Sequence, residues 1–379
     1  MSTRTSSGPG IATRVFGSQW FVSVLAVLIA FVIGAILIAL SGASVVDAYY
    51  AMFRGSIVDP NAANAVRMIK PLTDSLFYSI PLIISGLGLA LGFRAGLFNI
   101  GGKGQIIVGA LAAVWVGFAV SLPPVVHTLV ALLVAVIAGG LYGGIAGVLK
   151  AKTGANEVIV TIMLNSIATL GLGYVLAQKA WQVPGSNQPV TPKVADSAAL
   201  ARLLPAPFKL HVGFIVALVA LVAFWWLIER STLGFQIRAV GANAAAARTA
   251  GISVERITAI TMVLSGAFLG LAGANEALGT IGYVSRDVAG SIGFDAITVA
   301  LLGRNKTWGT FGAGLLFGAF KAGGYTMQAK GVPIDMILIL QSVIVLLIAA
   351  PALVRWLFRL PDVRALAANT RKGNADEHK

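Results

Sequence analysis

The sequence contains no cysteine and few charged residues. None of its 379 residues is Cys, and only 11% are Asp, Glu, Lys or Arg, against roughly 25% in a soluble domain. The lack of cysteine excludes disulfide frameworks and thiolate metal sites. The three histidines, His127, His211 and His378, are scattered without metal-ligand spacing, so nothing in the pattern supports a membrane-embedded metalloenzyme.

Apolar residues dominate the composition instead. They make up 57% of the chain, and the mean hydropathy is +0.87. A chain of this length cannot hide so much apolar surface from water, so we expect the bilayer to be its solvent. The 44 glycines suit helices that pack closely in lipid. The sequence therefore predicts an all-α polytopic membrane protein.

Apolar runs predict about ten transmembrane helices. Their approximate bounds are 20–40, 72–92, 106–120, 125–149, 156–177, 210–228, 257–279, 291–303, 310–328 and 333–356. The run at 291–303 is short and is interrupted by Gly293 and Asp295. Pro60 and Pro71 predict a mixed polar segment without helix before the second span. The predicted transmembrane domain is 20–356, with polar tails at 1–19 and 357–379.

The positive charges predict the orientation. The net charge is +14, and the side that holds both tails carries about twice as many Lys and Arg residues as the other. Both termini and the segment 229–256 are therefore expected in the cytoplasm of a bacterial cell, with the plasma membrane around the spans. The loop 178–209 is expected outside, where it could meet a substrate-delivery protein.

Three stretches carry the most specific patterns. The run FRAGLFNIGGKGQ (93–105) is too rich in glycine for a continuous helix, and NEVIVTIMLN (156–165) opens the fifth span. The segment 229–256 is long, helix-prone and basic, with four Arg and two Glu. Its helical pieces are predicted at 238–240 and 243–250, with Gly241 between them. By itself this segment is either a docking surface for a cytoplasmic partner or an ordinary basic loop.

Together with LGFQIRAVGANAAAARTAGIS (233–253), these runs resemble, in order and spacing, the permease subunits of ABC importers in the branched-chain amino acid, ribose and nucleoside superfamily. The resemblance covers about residues 70–350, and the first two runs are most similar to the nucleoside and simple-sugar branch. Family members often carry an acidic residue where this chain has Lys103, a departure that bears on local charge and on substrate preference.

The resemblance implies a type II ABC importer permease fold and several partners. Two permease subunits, usually a heterodimer in the nucleoside branch, would form the pathway. A separate ATPase would bind ATP and Mg²⁺, and an extracytoplasmic binding protein would deliver the substrate. No cofactor is expected in this chain. GGKG at 101–104 is a poor phosphate loop, because the upstream glycine is missing and Gln105 stands where Ser or Thr should be.

The resemblance places the coupling helix at about 234–251. The coupling candidates are Arg238, Gly241, Asn243, Ala247, Arg248 and Gly251. We expect Arg238 and Arg248 to pair with carboxylates of the ATPase, and small side chains to let the helix sit close in a groove of that partner.

The substrate pathway should be lined by the rare polar groups of the spans, since such groups are costly in lipid. The candidates are Phe98, Asn99, Gln105, Glu157, Thr161, Asn165, Asn275 and Glu276, with Asp295 and Lys321 behind them. Glu157, Thr161 and Asn165 follow at four-residue steps and share one helix face. The alternative for each is hydrogen bonding between helices, with Asp295 and Lys321 as a buried ion pair.

The resulting hypothesis is a permease subunit of an ATP-driven importer, with nucleosides favoured over ribose-like sugars as the substrate. An ion-coupled secondary transporter is the alternative. It would rely on Glu157, Glu276 and Asp295 and on broken helices. The long connector at 229–256 argues against it.

Overall fold

The computed structural model describes residues 19–333 except residue 187, together with scattered positions between 336 and 358. The predicted tails and the tenth predicted span, 333–356, lie outside the described residues apart from residues 19 and 333 and those positions. The described chain forms two compact units. One comprises Ala51–Thr326, and the other comprises the described residues on either side of it.

The described chain is built of helices. In chain order they are α1 (Gln19–Leu40), α2 (Val45–Ser56), α3 (Ala65–Arg94), α4 (Gly102–Ala119), α5 (Pro124–Thr153), α6 (Glu157–Ala177), α7 (Gly213–Arg230), α8 (Thr232–Ala242), α9 (Ala244–Thr249), α10 (Val254–Asn275), α11 (Ile292–Leu302) and α12 (Thr307–Gln328). Among the described residues, six helical segments are long and apolar enough to cross a membrane, namely α3 to α7 and the segment Val254–Thr280. The predicted all-helical membrane fold is confirmed.

The segment before the second span differs from the prediction. Residues 45–56 form the amphipathic helix α2, and α3 starts at Ala65, where the Asn64 side chain caps it by accepting a hydrogen bond from the Arg67 amide at 2.9 Å. Pro71 therefore lies inside a helix instead of ending one. Its missing N–H leaves only one carbonyl near the start of α3 without its usual partner, and surrounding groups can satisfy such a carbonyl.

Helix α10 is the centre of the larger unit and packs most extensively against α5. The two backbones touch at glycines. A Cβ added at Gly270 would lie 2.3 Å from the Ala135 carbonyl oxygen, and one at Gly139 would lie 2.5 Å from the Gly266 carbonyl oxygen. Side chains at these positions would force the helices apart. Small residues thus give the close approach on which packing in lipid depends.

The loop 178–209 is hydrogen-bonded to residues 278–284, which follow α10 at one of its ends. In the loop 178–209, the Thr191 amide donates to the Val284 carbonyl at 3.0 Å, and the Leu200 amide donates to the Leu278 carbonyl at 3.0 Å. The segment that precedes Val254 lies at the other end of this helix. The loop 178–209 and the connector 229–256 are therefore separated by the full length of α10.

Candidate functional site

The glycine-rich stretch forms a short irregular loop between α3 and α4. Helix α3 ends at Arg94 and α4 begins at Gly102, so the break is residues 95–101, narrower than the predicted 93–105. Gly96 has a φ of +73°, a conformation that favours glycine. The loop is largely buried, so its backbone N–H and C=O groups need partners within the protein.

Asn99 organises the loop from within. Its Nδ2 donates to Gln105 Oε1 at 3.0 Å and to the Ser265 hydroxyl of α10 at 2.9 Å. Its Oδ1 accepts from the Gly101 amide at 2.9 Å. Asn99 and Gln105 are each only 1% exposed. One buried amide thus joins the loop to α4 and α10.

The polar face of α6 holds the same loop from the other side. Thr161 Oγ1 accepts from the Ile100 amide at 3.3 Å. Asn165 bonds in both directions, since its Oδ1 accepts from the Gly104 amide at 2.7 Å and its Nδ2 donates to the Ile100 carbonyl at 2.8 Å. The predicted alignment of polar residues on one face of this helix is confirmed.

Glu157 completes this face at the start of α6. One carboxylate oxygen accepts from the Phe98 amide at 3.4 Å, and the other lies 2.7 Å from Lys150 Nζ. The Phe98 ring itself is 38% exposed and packs against Phe93 with 4.9 Å between ring centroids. Sequence reasoning missed Lys150, which lies near the end of α5 and is separated from Glu157 only by the short turn to α6.

Five of the eight pathway candidates therefore form one hydrogen-bonded network, which we call the loop clamp. Its members are Asn99, Gln105, Glu157, Thr161 and Asn165. Their polar atoms are used mainly on the backbone of residues 98–104 and on one another. This arrangement corresponds to the alternative of hydrogen bonding between helices, and it fixes the position of an irregular buried loop.

The other two polar candidates lie where α10 changes its winding. Asn275 ends the α-helix, and Glu276–Thr280 form a turn of π-helix; such turns are frequent at functional sites. Asn275 is 1% exposed, and neither its Oδ1 nor its Nδ2 has a hydrogen-bond partner among the described residues. Glu276 is 7% exposed and accepts a hydrogen bond from the Thr280 hydroxyl at 3.1 Å.

Asp295 and Lys321 do not form the expected direct ion pair. Asp295 instead accepts a hydrogen bond from the Ser291 hydroxyl at 2.6 Å. Lys321 lies close enough to act electrostatically on both Asp295 and Glu276. Asp295 lies in the first turn of α11, and Lys321 makes no ion pair with either carboxylate in the described part of the chain.

His211 was missed by sequence reasoning, which noted it only as one of three scattered histidines. It is 1% exposed, its Nδ1 accepts from the Gly213 amide at 3.1 Å, and its ring meets the Phe77 ring edge-on at 5.5 Å. Burial lowers the pKa of His211 to about 4, so the ring is neutral near pH 7. A Cβ at Gly213 would collide with both His211 and Asn275, which shows that these two side chains are neighbours.

The connector contains two short helices, as predicted, but the first is longer than the predicted 238–240 and the junction between them differs. Ser231 caps α8 by accepting from the Gly234 amide at 2.9 Å, and Asn243 caps α9 by accepting from the Ala246 amide at 3.0 Å. The junction is therefore Asn243, because its side chain can cap a helix. Gly241 lies inside α8, where a Cβ would be 2.1 Å from the Arg94 carbonyl oxygen.

The charged coupling candidates have partners within this chain. Arg248 lies 2.6 Å from Glu255, and Arg238 lies 3.9 Å from Glu229. Glu229 is also 3.4 Å from Arg94. Arg248 remains 66% exposed, and an ion pair so open to water contributes little to stability. Its guanidinium is therefore available for exchange with another carboxylate.

A groove of about 570 Å³ runs between α8 and α9. Its lining is mainly small or apolar, and it includes Phe235, Ala247 and Ile252. The Phe235 side chain is 61% exposed. Gly251, with a φ of +82°, ends the α9 turn beside this groove. An exposed aromatic ring beside an apolar groove is typical of a protein-binding surface.

Replacing Asn165 tests the loop clamp. Asn165→Leu would leave the Gly104 amide and the Ile100 carbonyl without partners, and we expect it to lower the free energy of unfolding by about 1–3 kcal/mol. Thr169→Val is the matched control, because Thr169 lies one turn further along α6 and bonds only to its own helix at 2.8 Å. Thermal unfolding of the purified protein should distinguish them, and equal melting temperatures would contradict the clamp.

Comparison with known proteins finds permeases of ABC transporters. Residues 72–349 match the family described as the branched-chain amino acid transport system permease component. The guanosine ABC transporter permease protein NupP of Bacillus subtilis is 40% identical over 349 residues, which cover 89% of this chain and 95% of the relative. The nucleoside ABC transporter permease protein NupB of Lactococcus lactis is 31% identical over 92% of this chain and 95% of its own length.

A glucose ABC transporter permease protein of Haloferax volcanii is 35% identical, over 85% of each chain. Bacillus subtilis and Lactococcus lactis each have a second, more distant matching permease, NupQ at 29% and NupC at 27% identity. No solved structure matches. With its helical spans, this chain belongs to the branched-chain amino acid transport system permease family and is a membrane-spanning permease subunit of an ABC transporter.

Proposed function

We propose that this chain is the permease subunit of an ATP-driven importer of nucleosides. The observation that carries the proposal is the similarity, along nearly the whole length of both chains, to permeases named for guanosine and for nucleosides. The glucose permease is almost as similar. The substrates named for these relatives all contain a sugar, with a base attached in the nucleosides. Ribose-like sugars are therefore the second candidate for the substrate.

ATP hydrolysis is assigned to a separate subunit. A phosphate loop needs free backbone amides that point at the phosphates. In the GGKG stretch, the Gly101 and Gly104 amides are already bound by Asn99 and Asn165. Its remaining residues open the helix α4. This stretch is therefore suited to holding the loop clamp and not to cradling a nucleotide, and ATP with Mg²⁺ would be bound by the partner.

The connector 229–256 is the surface on which we place the ATPase. Its groove and the exposed Phe235 offer the apolar contact, and Arg248 offers a charge. The membrane orientation predicted from the Lys and Arg residues would put this surface and both termini in the cytoplasm. It would put the loop 178–209, at the other end of α10, outside, where a binding protein could deliver the substrate.

The path for mechanical coupling starts at Gly241. Its backbone touches the end of α3 at Arg94, and Arg94 Nε donates to the Asn305 carbonyl between α11 and α12 at 2.7 Å. The next residues after Arg94 are the loop that the clamp ties to α6 and α10. A displacement of α8 would therefore be transmitted through residues 95–101 to α4, α6 and α10. A second permease subunit, as in the paired relatives, would complete the pathway.

The assignment is tested by uptake. Cells that express this chain with its ATPase, partner permease and binding protein should accumulate labelled nucleoside, and an ATPase unable to hydrolyse ATP should abolish the accumulation. Labelled ribose serves as the parallel substrate. Uptake of ribose alone would move the assignment to sugars. Uptake that survives the inactive ATPase and collapses with the ion gradient would contradict the ABC mechanism.

Gly241→Val tests the coupling path. The added side chain would collide with the Arg94 carbonyl and push α8 away from α3, so we expect nucleoside uptake to fall at least about tenfold while the ATPase still co-purifies. Gly171→Val on α6 is the control, because a Cβ there meets nothing within 4 Å. Phe235→Ala should have the complementary effect and reduce the amount of ATPase that co-purifies. Normal uptake by Gly241→Val would contradict this path.

A further inference from the structure

Two tyrosines that the proposed pathway does not include face each other across α3 and α12. The rings of Tyr78 and Tyr325 have centroids 5.4 Å apart and planes inclined at 37°. Tyr325 is 46% exposed, and Tyr78 is half-buried. The pair therefore leaves aromatic surface uncovered instead of closing on itself.

Backbone packing fixes this pair in place. A Cβ at Gly318 of α12 would lie 2.5 Å from the Ser75 carbonyl oxygen, and one at Gly314 would lie 2.5 Å from Ile83 Cγ1. Helix α12 thus lies directly against α3, one turn from Tyr78 and two turns from Tyr325. Because the contact involves backbone, the separation of the two rings is set by the fold and not by the flexibility of long side chains.

Two carboxylates act electrostatically on Tyr78. Asp74 precedes Tyr78 by one helical turn and shares its face of α3. Asp74 and Glu276 are both close enough to interact electrostatically with Tyr78. Asp74 bonds to Lys70 through Oδ2, whereas its buried Oδ1 has no hydrogen-bond partner in the part of the chain that the structure describes. Lys321 stands in the same relation to Tyr325 on α12, and it acts on Glu276.

A second unpartnered polar group lies one residue before Glu276. Asn275, immediately before Glu276, is 1% exposed, and both polar atoms of its amide lack partners in the described chain. A buried amide without hydrogen bonds costs free energy, and such groups are usually satisfied by a bound molecule or water. A turn of π-helix, Glu276–Thr280, follows Asn275.

Aromatic rings beside carboxylates match the two halves of a nucleoside. Any nucleobase can stack on the exposed ring of a tyrosine, because every base has a π face. The hydroxyls of the ribose are donors for carboxylate oxygens. A free sugar would use only the carboxylates, so the tyrosines would distinguish nucleosides from sugars.

We propose that Tyr78 and Tyr325 form the base-stacking surface of the translocation pathway, with Glu276 beside them as the acceptor for ribose hydroxyls. This inference rests on the proposed function, since it names the residues that would give a nucleoside permease its preference for a base.

Accessibility to water tests the position of the pair. The chain has no natural cysteine, so Tyr325→Cys introduces a single reactive thiol. In the assembled transporter we expect a charged, membrane-impermeant thiol reagent to modify it at least about tenfold faster than Tyr174→Cys. Tyr174 lies on α6 with 71% exposure and is the lipid-facing control. Equal and slow modification of both thiols would place Tyr325 against lipid and overturn the proposal.

Uptake tests the role of the rings. Tyr78→Leu and Tyr325→Leu should each lower nucleoside uptake by about tenfold at equal membrane levels, because the stacking surface is lost. Tyr325→Phe keeps the ring and should stay within about twofold of the unaltered chain. Tyr174→Leu is the matched control and should have no effect.

The outcomes separate the two proposals. If the unaltered transporter takes up nucleosides and the leucine variants at 78 and 325 behave as Tyr174→Leu does, only the stacking surface is wrong. If the unaltered transporter takes up ribose and no nucleoside, the proposed function and this inference both fail. Loss of uptake in Tyr325→Phe as well as Tyr325→Leu would assign the effect to the hydroxyl and contradict stacking.

Discussion

The satisfaction of buried backbone groups in an irregular segment is the constraint on which the rest of this structure depends. Residues 95–101 lie between two spans and make few regular helical hydrogen bonds. Their amides and carbonyls are bound by Asn99 from within and by Thr161 and Asn165 from α6. An unmet backbone group in so apolar a protein would cost a large part of its stability, so the polar face of α6 and the glycine-rich loop require each other.

This constraint also gives the molecule a place where motion can be transmitted. Gly241 brings the backbone of α8 onto Arg94, the last residue before the loop. Arg94 in turn bonds to Asn305 and lies near Glu229. A partner that moves the connector therefore pushes on a segment whose bonds reach α4, α6 and α10. Close-packed backbones without intervening side chains would pass such a displacement on with little loss.

The sequence predicted the helical membrane fold, because apolar runs of spanning length have few other solutions. It also predicted that the polar residues of α6 share a face. It did not predict that this face would bind the glycine-rich loop, since that pairing joins segments about sixty residues apart by side-chain to backbone bonds. His211 was missed for a similar reason, because it is buried against residues that are distant in sequence, among them Phe77 and Gly279. The helix boundary at Asn243 instead of Gly241 follows from a cap, which propensity alone does not reveal.

The most direct measurement is hydrogen exchange of residues 98–104 in the assembled transporter, with and without ATP held in an ATPase that cannot hydrolyse it. If the connector acts on the loop clamp through Gly241 and Arg94, closure of the ATPase on ATP should change the exchange of the Ile100, Gly101 and Gly104 amides. The connector should change with them. Altered exchange in the connector together with unchanged exchange in the loop would contradict this account of coupling.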